Sequence, residues 1–227
     1  AQYGAECVLD ASGFGRILPR LLDLESPSGF PVRKALFGHI EDHIDNTKFD
    51  RNKILITVHP DHRDVWFWLI PFSNGRSSIG VVAEVDFYSP SESNETMLKK
   101  LINDDDNLRT VLKNAVFDDN INSITGYSAN VKSLYGKGYA LLGNAGEFLD
   151  PIFSSGVTIA MKSASLAAAA LDRQFQGECV DWEADYARPL QRGVKTFRVF
   201  VDAWYEGRFQ DAIFHSKQQP EVKAMIC

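Results

Sequence analysis

One segment of the chain combines residue types that can bind an electron-rich group. It is residues 143–157, Gly-Asn-Ala-Gly-Glu-Phe-Leu-Asp-Pro-Ile-Phe-Ser-Ser-Gly-Val. They lie between a predicted strand that ends near Leu142 and a helix predicted over residues 155–173. We expect Ser154 or Ser155 to cap this helix, and Gly156 to let a ligand approach its free amide groups. A helix N-terminus carries about half a positive charge, which favours a phosphate, a halide or a ring that becomes negative on reduction. An ordinary capped helix after a proline-containing loop explains the same residues, so this motif alone leaves both interpretations open.

Two shorter segments are further candidates for ligand contact. In residues 65–71, Val-Trp-Phe-Trp-Leu-Ile-Pro, side chains alternate along a strand, so Trp66 and Trp68 fall on one face and form a flat aromatic wall. Packing in a core is the more common use of such residues. In Asp10-Ala-Ser-Gly13, a carboxylate and a glycine follow a short strand, where doubly wound sheets bind ligands. A strand-to-helix turn needs such a glycine for geometric reasons about as often.

The histidines and the acidic run do not predict a metal site. His39 and His43 are four residues apart, and His59 and His62 are three apart, but no other ligand accompanies either pair. The acidic run 104–106 lacks the glycine and the spaced acids of a calcium loop, so a solvated loop is expected there.

Composition narrows the class of protein. The 227 residues are 44% hydrophobic and carry a formal net charge of -6, which predicts a globular domain without the basic field that collects nucleic acid or anionic lipid. Cys7, Cys179 and Cys227 lie far apart, so neither a disulfide framework nor a zinc ribbon is indicated, and a cytoplasmic location fits best. No apolar run reaches the ~18 residues that cross a bilayer, and residues 1–4 lack the features of a signal peptide.

The elements expected to position these residues are mainly strands in the middle of the chain and helices towards its end. Asn74-Gly75 predicts a tight hairpin turn between two of the strands, with positive φ angles supplied by both residues. The predicted long helix has small residues on almost every face, so neighbouring elements can press close to it. We predict strands at 6–10, 35–44, 53–59, 64–71, 76–85, 122–134 and 138–142, and helices at 16–24, 91–101, 108–117, 155–173, 182–207 and 209–215.

Taken together, the three motifs resemble those of a flavin-dependent (tryptophan-halogenase-like) halogenase of the FAD-dependent monooxygenase superfamily. The segment Trp66-x-Trp68-x-Ile70-Pro71 matches the Trp-x-Trp-x-Ile-Pro signature of that family at every fixed position. The segment Asp150-Pro-x-Phe-Ser-Ser-Gly156 is similar to the version in members that act on phenols, pyrroles or carrier-bound substrates. The resemblance covers the chain up to about Leu171.

The resemblance implies a function and a set of site residues. Reduced FAD and O2 would oxidise chloride or bromide, and the hypohalous acid would halogenate an electron-rich aromatic substrate, either a small molecule or one bound to a carrier protein. A separate flavin reductase is a possible partner, and nucleic acid, membrane and metal are not implied. The implied cofactor-binding residues are Asp10, Gly13, Gly143, Asn144, Asp150, Pro151 and Gly156, and the implied substrate or halide residues are Ser155, Gly156, Trp66, Trp68 and Phe153.

Phe153 occupies the position of a glutamate in tryptophan-specific halogenases, which argues against free tryptophan as the substrate. Asn144 stands where the superfamily usually has an aspartate that touches the ribityl chain. The Gly-x-Gly-x-x-Gly fingerprint and the halogenating lysine of the family have no counterpart here. Both are expected upstream of Asp10, in an N-terminal Rossmann portion. We therefore expect a fragment that binds FAD weakly or not at all and does not turn over alone.

The expected fold is α+β, or α/β when complete, within a two-domain FAD monooxygenase-like architecture. Residues 1–30 and 136–175 would be a remnant of the FAD-binding domain, 31–135 an antiparallel substrate-side sheet with two helices, and 176–227 a C-terminal helical segment. Two alternative functions stay open. One is an FAD-dependent hydroxylase or prenyl-chain (geranylgeranyl) reductase, and the other is a non-catalytic binding module that has lost flavin.

Overall fold

The computed structural model describes residues 4–118 and 120–215, which form two compact units. Unit 2 is Pro31–Gly126, and unit 1 holds the described residues on either side of it. Residues 127–135, assigned above to the sheet domain, and the described residues from 176 onward both fall in unit 1. The reason is strand pairing, because Asn130–Val131 pairs with Glu25–Ser26 and Tyr135–Gly136 pairs with Tyr139–Leu141. Cys227 lies outside the described residues.

The strands are short in unit 1 and longest in the sheet of unit 2, and the described regular elements from residue 155 onward are helices. The strands are β1 (Val8–Asp10), β2 (Glu25–Ser26), β3 (Arg33–Glu41), β4 (Leu55–Val58), β5 (Trp66–Pro71), β6 (Arg76–Glu84), β7 (Val116–Phe117), β8 (Asn122–Thr125), β9 (Asn130–Val131), β10 (Tyr135–Gly136) and β11 (Tyr139–Leu141). The α-helices are α1 (Ile17–Leu21), α2 (Asn94–Asp104), α3 (Asp106–Val111), α4 (Ser155–Phe175), α5 (Arg188–Tyr205) and α6 (Arg208–Ile213).

Unit 2 is built on the antiparallel sheet that the alternating sequence pattern predicts. The strand order is β4-β5-β6-β3-β7, and β8 pairs with the same strand β3. Phe67 and Leu69 on β5 share one face with Ile79 and Val81 on β6, and helices α2 and α3 contribute apolar residues to the same buried core. This core leaves the opposite face of the sheet to Trp66 and Trp68, as the alternation predicts.

Several predicted boundaries differ from the structure because caps and turns set where the elements begin and end. Helix α2 begins at Asn94 rather than 91, since the hydroxyl of Ser93 accepts a hydrogen bond from the Thr96 amide and caps the helix there. Helix α3 ends at Val111, and residues 116–117 form a strand rather than the end of a helix. The predicted strand 122–134 is divided into β8 and β9, with Gly126 at a φ of 64° between them.

Residues 72–75 connect β5 and β6, as predicted, but the conformation of the turn differs from the prediction. The Phe72 amide donates to the Arg76 carbonyl at 2.7 Å and closes a turn over residues 73–75. Gly75 has a φ of 81°, whereas Asn74 has no positive φ and instead accepts a bond from the Arg76 amide through its side chain. The prediction that Asn74 and Gly75 both adopt positive φ angles is therefore wrong, and a single left-handed glycine closes the loop.

Unit 1 contains a small mixed sheet and the long helix α4. Strand β1 runs parallel to β11, and β10 pairs with β11 on its other side. The Gly143 amide donates to Ser163 on α4 at 2.9 Å, and a Cβ on Gly143 would lie 2.9 Å from the Cβ of Ala160. Small residues thus let the loop after β11 press against α4 on one side, while Val157 and Met161 leave another side exposed. None of the described helices is long and apolar enough to cross a membrane.

A buried carboxylate ties the loop after β3 to the β5–β6 hairpin in unit 2. Asp42 is 2% exposed and accepts hydrogen bonds from Arg51 and from the Ser77 hydroxyl, each at 2.6 Å. Burial alone would raise the pKa of Asp42, but these bonds and that of the Ile44 amide together hold the pKa below its ordinary value. The ionised carboxylate therefore stabilises the folded unit.

The depressed pKa makes unit 2 acid-sensitive. The stabilisation by Asp42 is complete above the unfolded pKa of 3.8 and is lost as pH falls from there through the lower folded pKa. We expect Asp42→Asn to lower the unfolding free energy at pH 7 by about 2 kcal/mol and to flatten the loss of stability below pH 4. Urea unfolding between pH 2 and 7 measures both effects. Asp61→Asn, at an exposed site of the same unit, is the control, and equal acid limbs in wild type and Asp42→Asn would contradict the assignment.

Candidate functional site

Parallel pairing brings the first and third sequence motifs together in unit 1. Asp10, at the end of β1, is the register partner of Leu141, at the end of β11, and the Leu142 amide donates to the Asp10 carbonyl at 2.8 Å. The carboxyl ends of both strands therefore meet at one edge of the sheet, where ligands of open α/β sheets bind. Gly143 and Asn144 follow β11 directly and lie at this same edge.

The Asp10 carboxylate orders the loop around it. Its two oxygens accept bonds from the Ser12 amide at 2.8 Å and the Leu18 amide at 2.7 Å. Burial would raise the pKa of Asp10, but bonds from Ser12 and Leu18 and the charge of Arg16 lower it, so the group is held ionised. Gly13 has a φ of 60° and no atom within 4 Å of a Cβ built on it, so the backbone there is open to approach. Asp10 therefore shapes the loop, and Gly13 exposes it.

Arg16 is a central residue of this site that the sequence analysis missed. Its guanidinium is buried and donates to the Asn144 carbonyl at 3.2 Å and to the Ala145 carbonyl at 3.4 Å. It also donates to the Asn130 carbonyl at 2.9 Å and to the Glu25 carboxylate at 3.1 Å. The chain at Arg16 adopts a φ of 46°, so this residue begins no helical turn, and α1 starts at Ile17. No local sequence signal marks such a residue, because most of its partners are more than 100 positions away.

Asn144 and Gly156 are neighbours, as the cofactor-site prediction requires. A Cβ built on Gly156 would lie 3.8 Å from the side-chain oxygen of Asn144 and 3.2 Å from the ring of Phe148. The ring of Phe148 also packs edge-on against Phe14, with centroids 5.4 Å apart. Thus residues from the loop after β1, the loop after β11 and the first turn of α4 form one cluster, which we call the loop cluster.

The N-terminus of α4 differs from the predicted serine cap. Ser154 has a φ of 50° and its hydroxyl makes no capping bond, while its amide donates to the Pro151 carbonyl at 2.9 Å. A capping side chain normally acts from extended backbone, which the left-handed Ser154 does not provide. Ser155, the other predicted cap, is the first residue of the helix and is buried. The first-turn amides are therefore not capped by Ser154 and carry the positive end of a 21-residue helix.

Asp150 is buried behind the loop cluster. Its carboxylate accepts hydrogen bonds from the hydroxyl of Tyr205 at 3.0 Å, from the hydroxyl of Tyr127 at 3.2 Å and from the Ile152 amide at 3.0 Å. The last bond caps the short 3-10 turn Pro151–Phe153 that leads into α4. The carboxylate thus fixes the path of the chain, and the predicted contact of Asp150 and Pro151 with a cofactor stays a prediction.

Phe153 lies in an aromatic cluster within unit 1. Its ring centroid is 5.4 Å from that of Phe209, 5.9 Å from that of Phe200 and 6.5 Å from that of Trp204. The two C-terminal helices therefore pack around this residue. Its predicted part in substrate or halide contact stays a prediction.

In unit 2, the tryptophan motif forms a row of rings on the sheet face opposite the core. Trp66 is buried and Trp68 half-buried, with ring centroids 5.9 Å apart. The Trp68 indole covers Gly80 on β6 and donates to the Ser78 hydroxyl at 3.0 Å. The predicted common face is confirmed by the strand pairing, and the predicted position of these residues beside a flavin stays a prediction.

The described residues hold no group of three or more histidine, cysteine or acidic side chains that could bind a metal ion. The His39 ring packs against Phe72 at 5.5 Å, and the His59 and His62 rings lie 5.0 Å apart. The free thiols among the described cysteines are those of Cys7 and Cys179.

Comparison with known proteins identifies similar chains. A family model described as tryptophan halogenase matches residues 2–224. A 1H-pyrrole-2-carbonyl-(peptidyl-carrier protein) chlorinase from Pseudomonas fluorescens is 27% identical over 215 residues, which cover 88% of this chain and 46% of that protein. The flavin-dependent halogenase gsfI from Penicillium aethiopicum is 30% identical over 179 residues, which cover 74% of this chain and 34% of that protein.

One solved structure is similar in fold over nearly the whole chain. The crystal structure of a flavoprotein/dehydrogenase from Cytophaga hutchinsonii superposes with a TM-score of 0.88 at 39% identity, covering 97% of this chain and 54% of that one. The chain therefore spans about half the length, or less, of these relatives.

Proposed function

Since the chain belongs to the tryptophan halogenase family, we propose that it is part of an FAD-dependent oxidoreductase that halogenates an electron-rich aromatic compound. The observation that carries this proposal is the loop cluster of unit 1. It joins the Asp10 loop, the Gly143–Asn144 loop and the N-terminus of α4 at one edge of a parallel strand pair. The arrangement has one open glycine, Gly13, and the amide groups and helix dipole that favour an anionic ring or a halide.

The residues present fit FAD. A Cβ built on Gly156 would lie 3.2 Å from the Phe148 ring and 3.8 Å from the side-chain oxygen of Asn144, so glycine keeps the first turn of α4 close to both residues. The Asn144 carboxamide supplies both a donor and acceptors, which suit the hydroxyls of a ribityl chain. At Gly13 no side chain hinders the approach of a ligand to the backbone. Asp10 and Arg16 would support the cofactor indirectly, because their hydrogen bonds hold the two loops in place.

These contacts indicate which residues would bind the cofactor and which would bind the halide. Gly13, Gly143 and Asn144 would hold the cofactor, and the amides of Ser155 and Gly156 would hold the halide. When bound in its reduced form, FAD supplies the two electrons with which O2 and a proton convert a halide to hypohalous acid and water. Phe148 and Phe14 place apolar surface beside the amides, which lowers access of water and strengthens their attraction for an anion.

The substrate and partners are proposed from the same family. The Pseudomonas fluorescens relative is named for a pyrrole carried on a peptidyl-carrier protein, and we extend this class, an electron-rich ring that is free or carrier-bound, to this chain. Phe153 supplies an aromatic environment rather than a carboxylate at its position. We further propose a flavin reductase as the electron donor and a reducing, cytoplasmic setting.

The experiment is halide-dependent product formation by the complete protein of which these residues are part. With a flavin reductase, O2 and pyrrole or phenol probes, we expect products with the bromine isotope pattern in bromide buffer and the chlorine pattern in chloride buffer. The 227-residue chain alone is the control, and we expect weak or no FAD retention and no turnover from it. An oxygenated or reduced product without halogen would support a hydroxylase or reductase instead, and failure of the complete protein to retain FAD would support a non-catalytic module.

A further inference from the structure

Helix α5 contacts the segment between β11 and α4 through two polar side chains. The Arg198 guanidinium donates to the Glu147 carboxylate at 3.1 Å, and the Tyr205 hydroxyl donates to the Asp150 carboxylate at 3.0 Å. Arg198 and Tyr205 are seven positions apart, which is about two helical turns, so both lie on one side of α5. Residues 147–154, which lead into α4, are called the linking segment below. One side of α5 therefore bonds to the linking segment at two points.

Both carboxylates in these contacts are buried. Glu147 is 9% exposed and Asp150 is 1% exposed. Burial raises the pKa of Glu147, although the hydrogen bond and charge of Arg198 and the charge of Lys195 oppose this rise. Removing a charged pair from water costs about as much free energy as the attraction within the pair returns, so such a pair adds little net stability. A role in fixing the path of the linking segment explains these contacts better than a gain in stability does.

The Arg198 guanidinium is itself held in place by an earlier part of unit 1. It donates to the Ser28 carbonyl at 2.9 Å, and its central carbon lies 4.5 Å from the centroid of the Phe30 ring. A guanidinium is attracted to an aromatic face, and its planar fork can donate in two directions at once. The donor to Glu147 is therefore fixed by contacts with two further residues.

The linking segment connects these contacts to the first turn of α4. The Asp150 carboxylate caps the 3-10 turn Pro151–Phe153, which is followed by the left-handed Ser154 directly before the helix. Phe148 lies between the two carboxylates in sequence, and its ring would be 3.2 Å from a Cβ on Gly156. The path of the linking segment therefore determines where the amides of the first turn lie.

We propose that Arg198 and Tyr205 are positioning residues for the first-turn amides of Ser155 and Gly156, and that halide binding depends on α5 through them. The inference rests on the proposed function for the identity of the anion, and it adds the C-terminal helix to the residues that determine halide affinity. An anion at a helix N-terminus depends on the distance and direction of the amide groups, so a small displacement of the turn weakens binding while the fold is kept.

The first test follows the amides in the full 227-residue chain by NMR, without cofactor or halide. We expect Tyr205→Phe to shift the amide resonances of Ser155 and Gly156, because Asp150 loses one of its donors. Hydrogen exchange of the Ile152 amide, which bonds to the same carboxylate, should become at least threefold faster.

Tyr135→Phe is the matched control for the first test. It also removes a hydrogen bond from a phenol to a carboxylate in unit 1, that of Tyr135 with Glu183 at 3.5 Å, and it lies outside the linking segment. The control should leave the resonances and the exchange rate unchanged. If the same amides were also unchanged in Tyr205→Phe, the proposal would be overturned.

The second test measures bromide binding by the complete protein with oxidised FAD. The change in flavin absorbance reports binding, and no reductant is added, so no turnover occurs. We expect Tyr205→Phe to raise the bromide dissociation constant at least fivefold. Arg198→Lys keeps the charge beside Glu147 but not the planar fork, and the expected rise is at least threefold. Arg192→Lys, at an exposed position of the same helix, is the control and should leave the constant unchanged.

The outcomes separate this inference from the proposed function. Halogenated products from the wild type, together with equal bromide dissociation constants in the wild type and both variants, would overturn the inference and keep the proposed function. The role of the two residues would then be structural only, even if the amides move. A wild-type protein that binds no bromide would overturn both, so the wild-type result distinguishes the two failures.

Discussion

Arg16→Met is expected to lower the unfolding free energy by about 4 kcal/mol, because buried carbonyl groups lose a charged donor that nothing replaces. The guanidinium side chain is 6% exposed and donates to the carbonyls of Asn144, Ala145 and Asn130. Methionine fills similar space without any donor, so packing is largely kept while the polar contacts are lost. Urea unfolding measures the total effect, and hydrogen exchange of the amides at residues 143–147 measures the local one.

Arg20→Met is the matched control for this prediction. Arg20 is 61% exposed and pairs with Glu25 at 3.7 Å, so its replacement should change stability by less than about 0.5 kcal/mol. Arg16→Lys keeps the charge but not the planar fork, and an intermediate loss is expected. If Arg16→Met and Arg20→Met were equally mild, the carbonyl contacts would not hold the loop. In the complete protein, Arg16→Met should also weaken FAD retention, since it frees the loop that carries Asn144.

The sequence predicts correctly those features of the fold that depend on contacts between residues close together in the chain. Alternation along Trp66-Phe67-Trp68 set which residues face the core of unit 2, and the helix pattern found α4 within a few residues of its observed ends. The parallel partner of β1 was not predicted from pattern, and this pairing is what brings Asp10 close to the loop that carries Asn144. Local periodicity and motif chemistry therefore suffice for the elements and the general location of the loop cluster.

Long-range contacts account for what could not be predicted. The predicted cofactor contact of Asp150 stays a prediction, and its bonds from Tyr127 and Tyr205, 23 and 55 positions away, could not be predicted from sequence. Ser154 or Ser155 was expected to cap α4 on residue type alone, but Ser154 has a left-handed backbone and makes no capping bond, and Ser155 is already the first residue of the helix. Each of these depends on how distant segments pack, which no local pattern encodes.

The packing of Trp68 over Gly80 also could not be predicted from the sequence, and it leads to the second large expected loss of stability. The sequence placed two indoles on one face, but not the glycine opposite them. A Cβ on Gly80 would lie 2.6 Å from Cε2 of Trp68 and still closer to other atoms of that ring, so any larger residue must expel the indole. We expect Gly80→Val to cost about 3 kcal/mol through overpacking in the middle of the sheet. Urea unfolding and tryptophan fluorescence measure the loss of stability and the displaced ring.

A double-mutant cycle separates ring displacement from an intrinsic effect of valine on the strand. In a Trp68→Ala background the space above position 80 is open, and valine suits a strand better than glycine does, so the same Gly80→Val change should cost less than about 0.5 kcal/mol or stabilise unit 2. Ser78→Val, on the same strand face, removes only the bond from the indole nitrogen and should cost about 1 kcal/mol. If Gly80→Val were equally costly with and without Trp68, the indole would not be the clashing group, and the packing of its ring over Gly80 would not stabilise unit 2.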